Sequence, residues 1–254
     1  MWQQLHFKES LLKQKSRQKW IKEGDSNSRF FHASLKYRRK RNNIVSINTS
    51  RGRVEQVEEL KKEVKNHFEE RFQETNFNRP VLDGVEFKQL SEEEKMELEE
   101  PFSEEEVKEA IWSCDRNKSP GPDGYNFGFL KACWETLRED TLNFLHEFHG
   151  NAILPKAITA SFLALIPKSD SPQELNDYRL ICLIGSLYKI VAKLLAKRIK
   201  KVIGKLISDC QTAFVPGRQI LDGVLVINEL IDLARKECLL LKVDFEKTYD
   251  CVSW

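Results

Sequence analysis

An α+β, helix-rich fold is predicted by three features of this sequence. Apolar residues recur at three- and four-residue spacing along most of the chain, a few short apolar runs have strand length, and turns rich in Gly, Pro and Asn separate them. Residues 1–23 set Leu5, Leu11, Leu12, Trp20 and Ile21 among Lys, Gln and Glu, the pattern of one or two amphipathic helices. A break at Gly24-Asp25-Ser26-Asn27 follows, with Asp25 or Ser26 as candidate cap of a helix that contains His32 and the run Tyr37-Arg38-Arg39-Lys40-Arg41. Residues 44–54 have strand character around an Arg51-Gly52-Arg53 turn, and Val57, Leu60, Val64, Phe68 and Phe72 then mark an amphipathic helix. Asn, Pro and Gly between 75 and 84 mark a linker. Residues 91–100 read as a short acidic helix with a solvated face, to which no chemistry is assigned.

Ser103 and Glu106 have capping-box spacing, and Val107, Ala110 and Ile111 follow on one face. That helix stops at Ser119-Pro120-Gly121-Pro122-Asp123-Gly124, where two prolines and two glycines force a rigid loop. Such a loop is either a connector or an element held rigid over a site. Phe129, Leu130, Trp134, Leu137, Leu145 and Phe148 continue as one or two helices up to Gly150. Residues 161–166 and 178–184 read as the strands of one hairpin, flanked by Lys168 and Arg179, both suited to an anionic group. Gly185 opens the next helix with Ser186 as N-cap. One face of it is apolar, from Leu187 to Leu206, and the other carries Lys189, Lys193, Lys197, Lys200, Lys201 and Lys205. A turn at Pro216-Gly217 leaves Arg218 exposed, and a helix with Leu221, Val224, Leu225 and Ile231 leads to an apolar run at 239–243.

The composition, 41% hydrophobic and 31% charged over 254 residues, is that of a soluble globular protein. A net charge of +2 conceals segregation: 36–41 and 189–205 are basic, 91–106 acidic. Basic patches of this kind point to a polyanion partner, cations for phosphate and rings for bases. The same runs also fit solvated helix faces, and the lysine helix alone fits a membrane surface or a calmodulin-type partner as well. Six cysteines form no C-x-x-C pair, which argues against a zinc knuckle or a disulfide framework and suits a reducing compartment. No apolar run reaches transmembrane length and the N-terminus has no signal-peptide pattern, so an intracellular protein, nuclear and/or cytoplasmic and not secreted, is expected.

At the far end, Asp244 closes the apolar run. A carboxylate at the exit of a buried strand sits on rigid backbone and can offer oxygen to a hard cation; a plain strand-ending Asp turn fits the same residues. Tyr249 follows five residues on, large enough to wall a small pocket.

Six blocks in order carry a resemblance: Ser119–Gly124, Leu165-Ile166-Pro167-Lys168, Asp177-Tyr178-Arg179, Leu183 through Ile190, Gln211-Thr212-Ala213-Phe214 with Gly217-Arg218-Gln219-Ile220, and 242–254. Together they resemble the reverse transcriptase of plant LINE-type (non-LTR) retrotransposons across about 101–254, and 20–47 looks like the connector that precedes the polymerase domain. The resemblance implies an incomplete right-hand polymerase, fingers plus first palm strand, divided as a helical basic connector (1–80), an acidic linker with a short helix (81–100) and the polymerase part (101–254). It implies that Asp244 is the catalytic carboxylate and binds Mg2+ with the Phe245 carbonyl, and that Tyr249 is the steric gate beneath the sugar. Lys168 and Arg179 would hold the incoming deoxynucleotide triphosphate. Arg38, Arg39, Lys40, Arg41, Lys193, Lys197 and Arg218 would contact the RNA template and DNA primer. No membrane partner is implied.

Two departures from the family pattern stand out. Where the family has Tyr-Arg-Pro-Ile-Ser, this chain has Tyr178-Arg179-Leu180-Ile181-Cys182, which puts the hairpin geometry beside Arg179 in question. No adjacent Asp-Asp pair, the family's second source of metal carboxylates, occurs in the 254 residues. One carboxylate does not build a two-metal site, so the expectation is a truncated or fragmentary enzyme that does not polymerise alone. A non-catalytic nucleic-acid-binding remnant and a helical interaction protein are the alternatives.

Overall fold

The computed structural model describes residues 28–50, 52–73, 83–84 and 86–233. The helices expected within 1–23, the apolar run 239–243, and Asp244, Phe245 and Tyr249 lie outside the described residues. Two compact units, interleaved in sequence, make up the chain: residues 1–73 with 161–183, and residues 74–160 with 184–254. The helix-rich α+β class is observed.

The first unit begins with α1 (Ser28–Asn42), whose last turn holds Arg39, Lys40 and Arg41, cations placed where the helix dipole favours them. Strands β1 (Ile47–Thr49) and β2 (Gly52–Val54) pair antiparallel, Ile47 opposite Val54 and Thr49 opposite Gly52. The reversal therefore falls one residue earlier than the expected Arg51-Gly52-Arg53 turn. Gly52, at φ 117°, is already in β2, and only glycine takes that conformation freely. Helix α2 (Val57–Phe72) buries Leu60 and Phe68. Strands β3 (Ser161–Pro167) and β4 (Tyr178–Ile184) form the second two-stranded sheet. Ile47, Leu60 and Leu175 are the centre of this unit's core, with Ile44, Val54, Val64 and Leu165 around them.

The second unit is helical among its described residues: α3 (Glu92–Glu99), α4 (Glu104–Trp112), α5 (Phe127–Ala132), α6 (Trp134–Asn151), α7 (Lys156–Thr159), α8 (Ser186–Leu206) and α9 (Ile220–Leu233). Val107 and Ile111 of α4, Phe127 of α5, Trp134 and Leu145 of α6, and Ile190 and Leu194 of α8 meet in one core. The apolar spacing read from the sequence is the spacing of these buried faces. Helix α6 ends at Ala152, which takes the left-handed φ of 55° and donates its N–H to Phe148 O at 2.7 Å. Helix α9 buries none of its side chains among the described residues, though most of them are apolar.

Two capping expectations are corrected. At α4, Ser103 Oγ accepts the Glu106 N–H at 3.2 Å, but Glu106 does not reach back, because its carboxylate is taken by Arg198. The full reciprocal box is on α3 instead, where Ser91 Oγ accepts from Glu94 N–H (3.3 Å) and the Glu94 carboxylate from Ser91 N–H (3.0 Å). At α8 the cap residue is Gly185, and Ser186 is the first helical residue with its hydroxyl turned to Asp123. The helix is capped by a side chain from a distant loop, which no local sequence rule anticipates.

Candidate functional site

In the first unit, the β3–β4 hairpin positions the two residues expected to hold an anion. Lys168 follows β3 directly, and its N–H donates to Asp177 O at 2.7 Å, which closes the turn. The Asp177 carboxylate accepts the N–H groups of Gln173 (2.8 Å) and Glu174 (3.0 Å), and these bonds hold it below the usual aspartate range. The turn is thus rigid, and Lys168 and Arg179 are carried on adjoining stretches of its two strands. Both side chains are exposed. Lys168 Nζ donates to Asn176 O at 2.7 Å, whereas Arg179 pairs with no acid among the described residues. Leu180, where the family has proline, sits inside β4 without interrupting it, so the substitution leaves the hairpin formed.

Of the basic run on the same unit, Arg41 forms an ion pair with Asp170 at 3.0 Å. Arg38, Arg39 and Lys40 line a groove of about 880 Å3 together with Leu35, Lys36 and Ile166. Cations set beside the apolar Leu35 and Ile166 suit a phosphate backbone whose sugars and bases pass across carbon.

In the second unit, the Ser119–Gly124 loop is pressed onto the start of α8. A Cβ on Gly121 would lie 2.3 Å from the carbonyl carbon and oxygen of Ile184, so only glycine lets the two backbones meet. Asp123 Oδ2 accepts from the Ser186 N–H at 2.5 Å and from Ser186 Oγ at 2.7 Å, while Oδ1 accepts the Tyr125 N–H at 3.3 Å. Lys189 Nζ donates to Ser119 O at 3.1 Å. Burial pushes the Asp123 carboxyl up, but the bonds from Ser186 and Tyr125 and the nearby Lys189 charge outweigh it, and the net direction is down. Beside the loop lies a cavity of about 290 Å3, walled by Tyr125, Phe129, Thr141, Ile158 and Tyr188. Tyr125 and Phe129 stack with centroids 4.7 Å apart.

Asp123→Ala is expected to cost about 1 kcal/mol, the typical value for a lost N-cap. Because its folded pKa is depressed, this stabilisation is present above the unfolded-state pKa and is lost as pH falls through the folded one. Thermal melts of both proteins should therefore differ at neutral pH and converge in acid. A gap that persists unchanged in acid would show that the carboxylate charge is not what caps α8.

The lysine face of α8 is not free. Lys197 pairs with Glu109, Lys201 with Glu97 (2.8 Å) and Lys205 with Glu94, so the acidic helix assigned no chemistry is an ion-pair partner of the basic one. Lys193, half-buried, and Lys200, exposed, form no ion pair among the described residues. Arg218, expected to be exposed, is drawn in: Nη1 donates to Ser208 O (2.5 Å) and Gln211 O (2.8 Å), and Nη2 to Gly204 O (3.1 Å), Ile207 O (3.3 Å) and Asp209 Oδ1 (3.2 Å). The carbonyls left open where α8 ends attract it.

Sequence reasoning missed Arg198, which is 6% exposed and gives all its donors away. Nε and Nη2 clamp the Glu106 carboxylate at 3.0 and 2.8 Å, and Nη1 and Nη2 reach the carbonyls of Leu98 (3.0 Å), Glu100 and Pro101 (3.1 Å). Its guanidinium lies 4.3 Å from the Phe102 ring centroid. A signal for it existed: Arg198 stands between Leu194 and Val202 at four-residue spacing, a charge inside an apolar stripe. Asp123 and Gly121 had no such signal beyond the stiffness of their loop.

Residues 166–254 match the family described as reverse transcriptase (RNA-dependent DNA polymerase). That stretch includes Lys168 and Arg179, and the chain carries reverse transcriptase sequence homologous to that of non-LTR retrotransposon-type proteins. Among curated relatives, the Transposon TX1 uncharacterized 149 kDa protein of Xenopus laevis is 31% identical over 247 residues, 94% of this chain and 19% of the relative. The retrovirus-related Pol polyprotein from type-1 retrotransposable element R1 of Bradysia coprophila is 26% identical, over 59% of this chain and 15% of its own length. The probable RNA-directed DNA polymerase from transposon BS of Drosophila melanogaster is 28% identical, over 74% and 21%. The chain thus spans about a fifth or less of the relatives it matches. No helix of the described residues is long and apolar enough to cross a membrane, and no group of three or more His, Cys, Asp or Glu among them is placed to hold a metal ion.

Proposed function

We propose that this chain supplies the fingers and first palm strand of an RNA-directed DNA polymerase from a plant LINE-type element, acting on an RNA template, a DNA primer and deoxynucleotide triphosphates inside the cell. The observation that carries the reading is the hairpin with Lys168 and Arg179 exposed on it, both residues within the stretch that matches the reverse transcriptase family. The domain division read from the sequence, at 80 and 100, is part of the proposal.

Arg179 pairs with no acid among the described residues, and its guanidinium fork suits phosphate oxygens in a bidentate geometry that lysine lacks. Lys168 adds a point charge, part of it shared with Asn176 O. Arg38, Arg39 and Lys40 line the groove proposed for the nucleic-acid backbone. In the other unit, Lys193 is a separate candidate contact that forms no ion pair among the described residues. Arg41 and Lys197, both ion-paired, and Arg218, bound to its own chain, contribute less in this arrangement. Tyr249 is the proposed steric gate. The Asp244 carboxylate and Phe245 carbonyl are oxygen donors of the kind Mg2+ takes, and they are its proposed ligands. Bound there, the cation neutralises charge that builds on the transferring phosphoryl group.

The test is Mg2+-dependent binding of a deoxynucleotide triphosphate to the chain with primer–template present. Arg179→Ala should weaken it about tenfold or more, since hydrogen bonds to charged groups contribute roughly 1.5–3 kcal/mol. Lys168→Ala should weaken it less, with far-UV circular dichroism unchanged in both. Undiminished nucleotide binding by Arg179→Ala would remove the hairpin from the site.

A further inference from the structure

We propose that α3 is a fixed acidic shield, which fills the lysine face of α8 with the chain's own carboxylates and keeps nucleic-acid strands off that face. The inference rests on the nucleic-acid-binding reading above and narrows where a strand can lie. Lys197, Lys201 and Lys205 stand four residues apart, one above another along α8. Each meets one carboxylate. Ascending from Lys201 to Lys205, the partners descend from Glu97 to Glu94, so α3 runs antiparallel to α8 along the lysine row, and Glu109 of α4 completes the line.

Exposed ion pairs are individually weak and exchange readily for phosphate, so they do not hold α3 in place. Arg198 does. It ties the carbonyls of Leu98, Glu100 and Pro101 and the Glu106 carboxylate to the buried side of α8, which anchors the C-terminal end of α3. At the other end Glu94 is oriented by its capping box with Ser91, and only 17% of its side chain is exposed. The carboxylates are therefore in position before any strand arrives. Hydrogen bonds from these partners raise the affinity of Lys201 and Lys205 for their protons and lower that of Glu94, so all three stay charged.

The test measures binding of a labelled single-stranded oligonucleotide to the full chain as salt is varied. Glu94→Gln with Glu97→Gln and Glu109→Gln should raise affinity at low salt. It should steepen the dependence of log K on log salt by about 2, from three freed lysines at roughly 0.7 each on a single strand. In the otherwise unaltered chain, Lys201→Gln with Lys205→Gln should leave affinity and slope unchanged, and this second variant reports even if the first misfolds. A loss of slope near 1.4 in the lysine variant, roughly 0.7 for each of two lysines, would overturn the shield, because those lysines would already be on the strand. A well-folded glutamate variant with unaltered binding would overturn it too. If the unaltered chain binds no oligonucleotide while the glutamate variant does, the shield stands and the α1 groove fails as an interface.

Discussion

Arg198→Ala is expected to destabilise the helical unit by about 3–5 kcal/mol, the range for breaking one partner out of a buried ion pair. The loss has two parts. The Glu106 carboxylate is left half-buried without its counter-charge, and three carbonyls at the α3–α4 junction lose their donors. Urea unfolding should show a lowered midpoint. Arg198→Met with Glu106→Gln should recover only part of the stability, since the double change removes the stranded charge but restores no donor to Leu98, Glu100 or Pro101. Full recovery would mean that the ion pair alone mattered. The pH dependence has a definite sign. Hydrogen bonding from Arg198 holds the Glu106 carboxyl below its ordinary value, with burial opposing. Its stabilisation is present above the unfolded-state pKa and is lost as pH falls through the folded one, so acid should shrink the gap between the native and Arg198→Ala proteins.

Gly121→Ala should be nearly as damaging, by a different route. The added methyl would meet backbone atoms of Ile184 at 2.3 Å and Gly185 N at 2.5 Å, and backbone cannot rotate aside as a side-chain tip would. The loop must lift off the start of α8 and carry Asp123 away from Ser186. Overpacking costs about 1–3 kcal/mol and the lost cap about 1 kcal/mol more, which lowers the melting temperature by about 5–15 °C. Asp123→Ala is the control, losing the cap without the clash. If Gly121→Ala melts no lower than Asp123→Ala, the close approach of the two backbones is not stabilising.

Much of the fold was legible because it depends on neighbours in sequence. The helices from Val57, Glu104 and Ser186 follow three- and four-residue apolar spacing, and the hairpin at 161–184 follows strand-length runs around a polar turn. The placement of Lys168 and Arg179 on one hairpin followed from the same local reading. Partner choice was not legible. Asp123 finds Ser186 across 63 residues, and Arg198 finds Glu106 across 92. Spacing rules reach a turn or two of helix and no further. Lys197 and Arg218 illustrate the consequence: each reads as an exposed cation, yet one is paired by Glu109 and the other is drawn onto the carbonyls of its own chain.

Local pattern alone carries most of the helices and strands seen among the described residues, and the ordered motifs that relate the chain to reverse transcriptases. The tertiary structure decided which charges remain available to a ligand. Whether a lysine faces water or a carboxylate depends on which helices pack side by side, and that is a property of the folded chain rather than of any one segment.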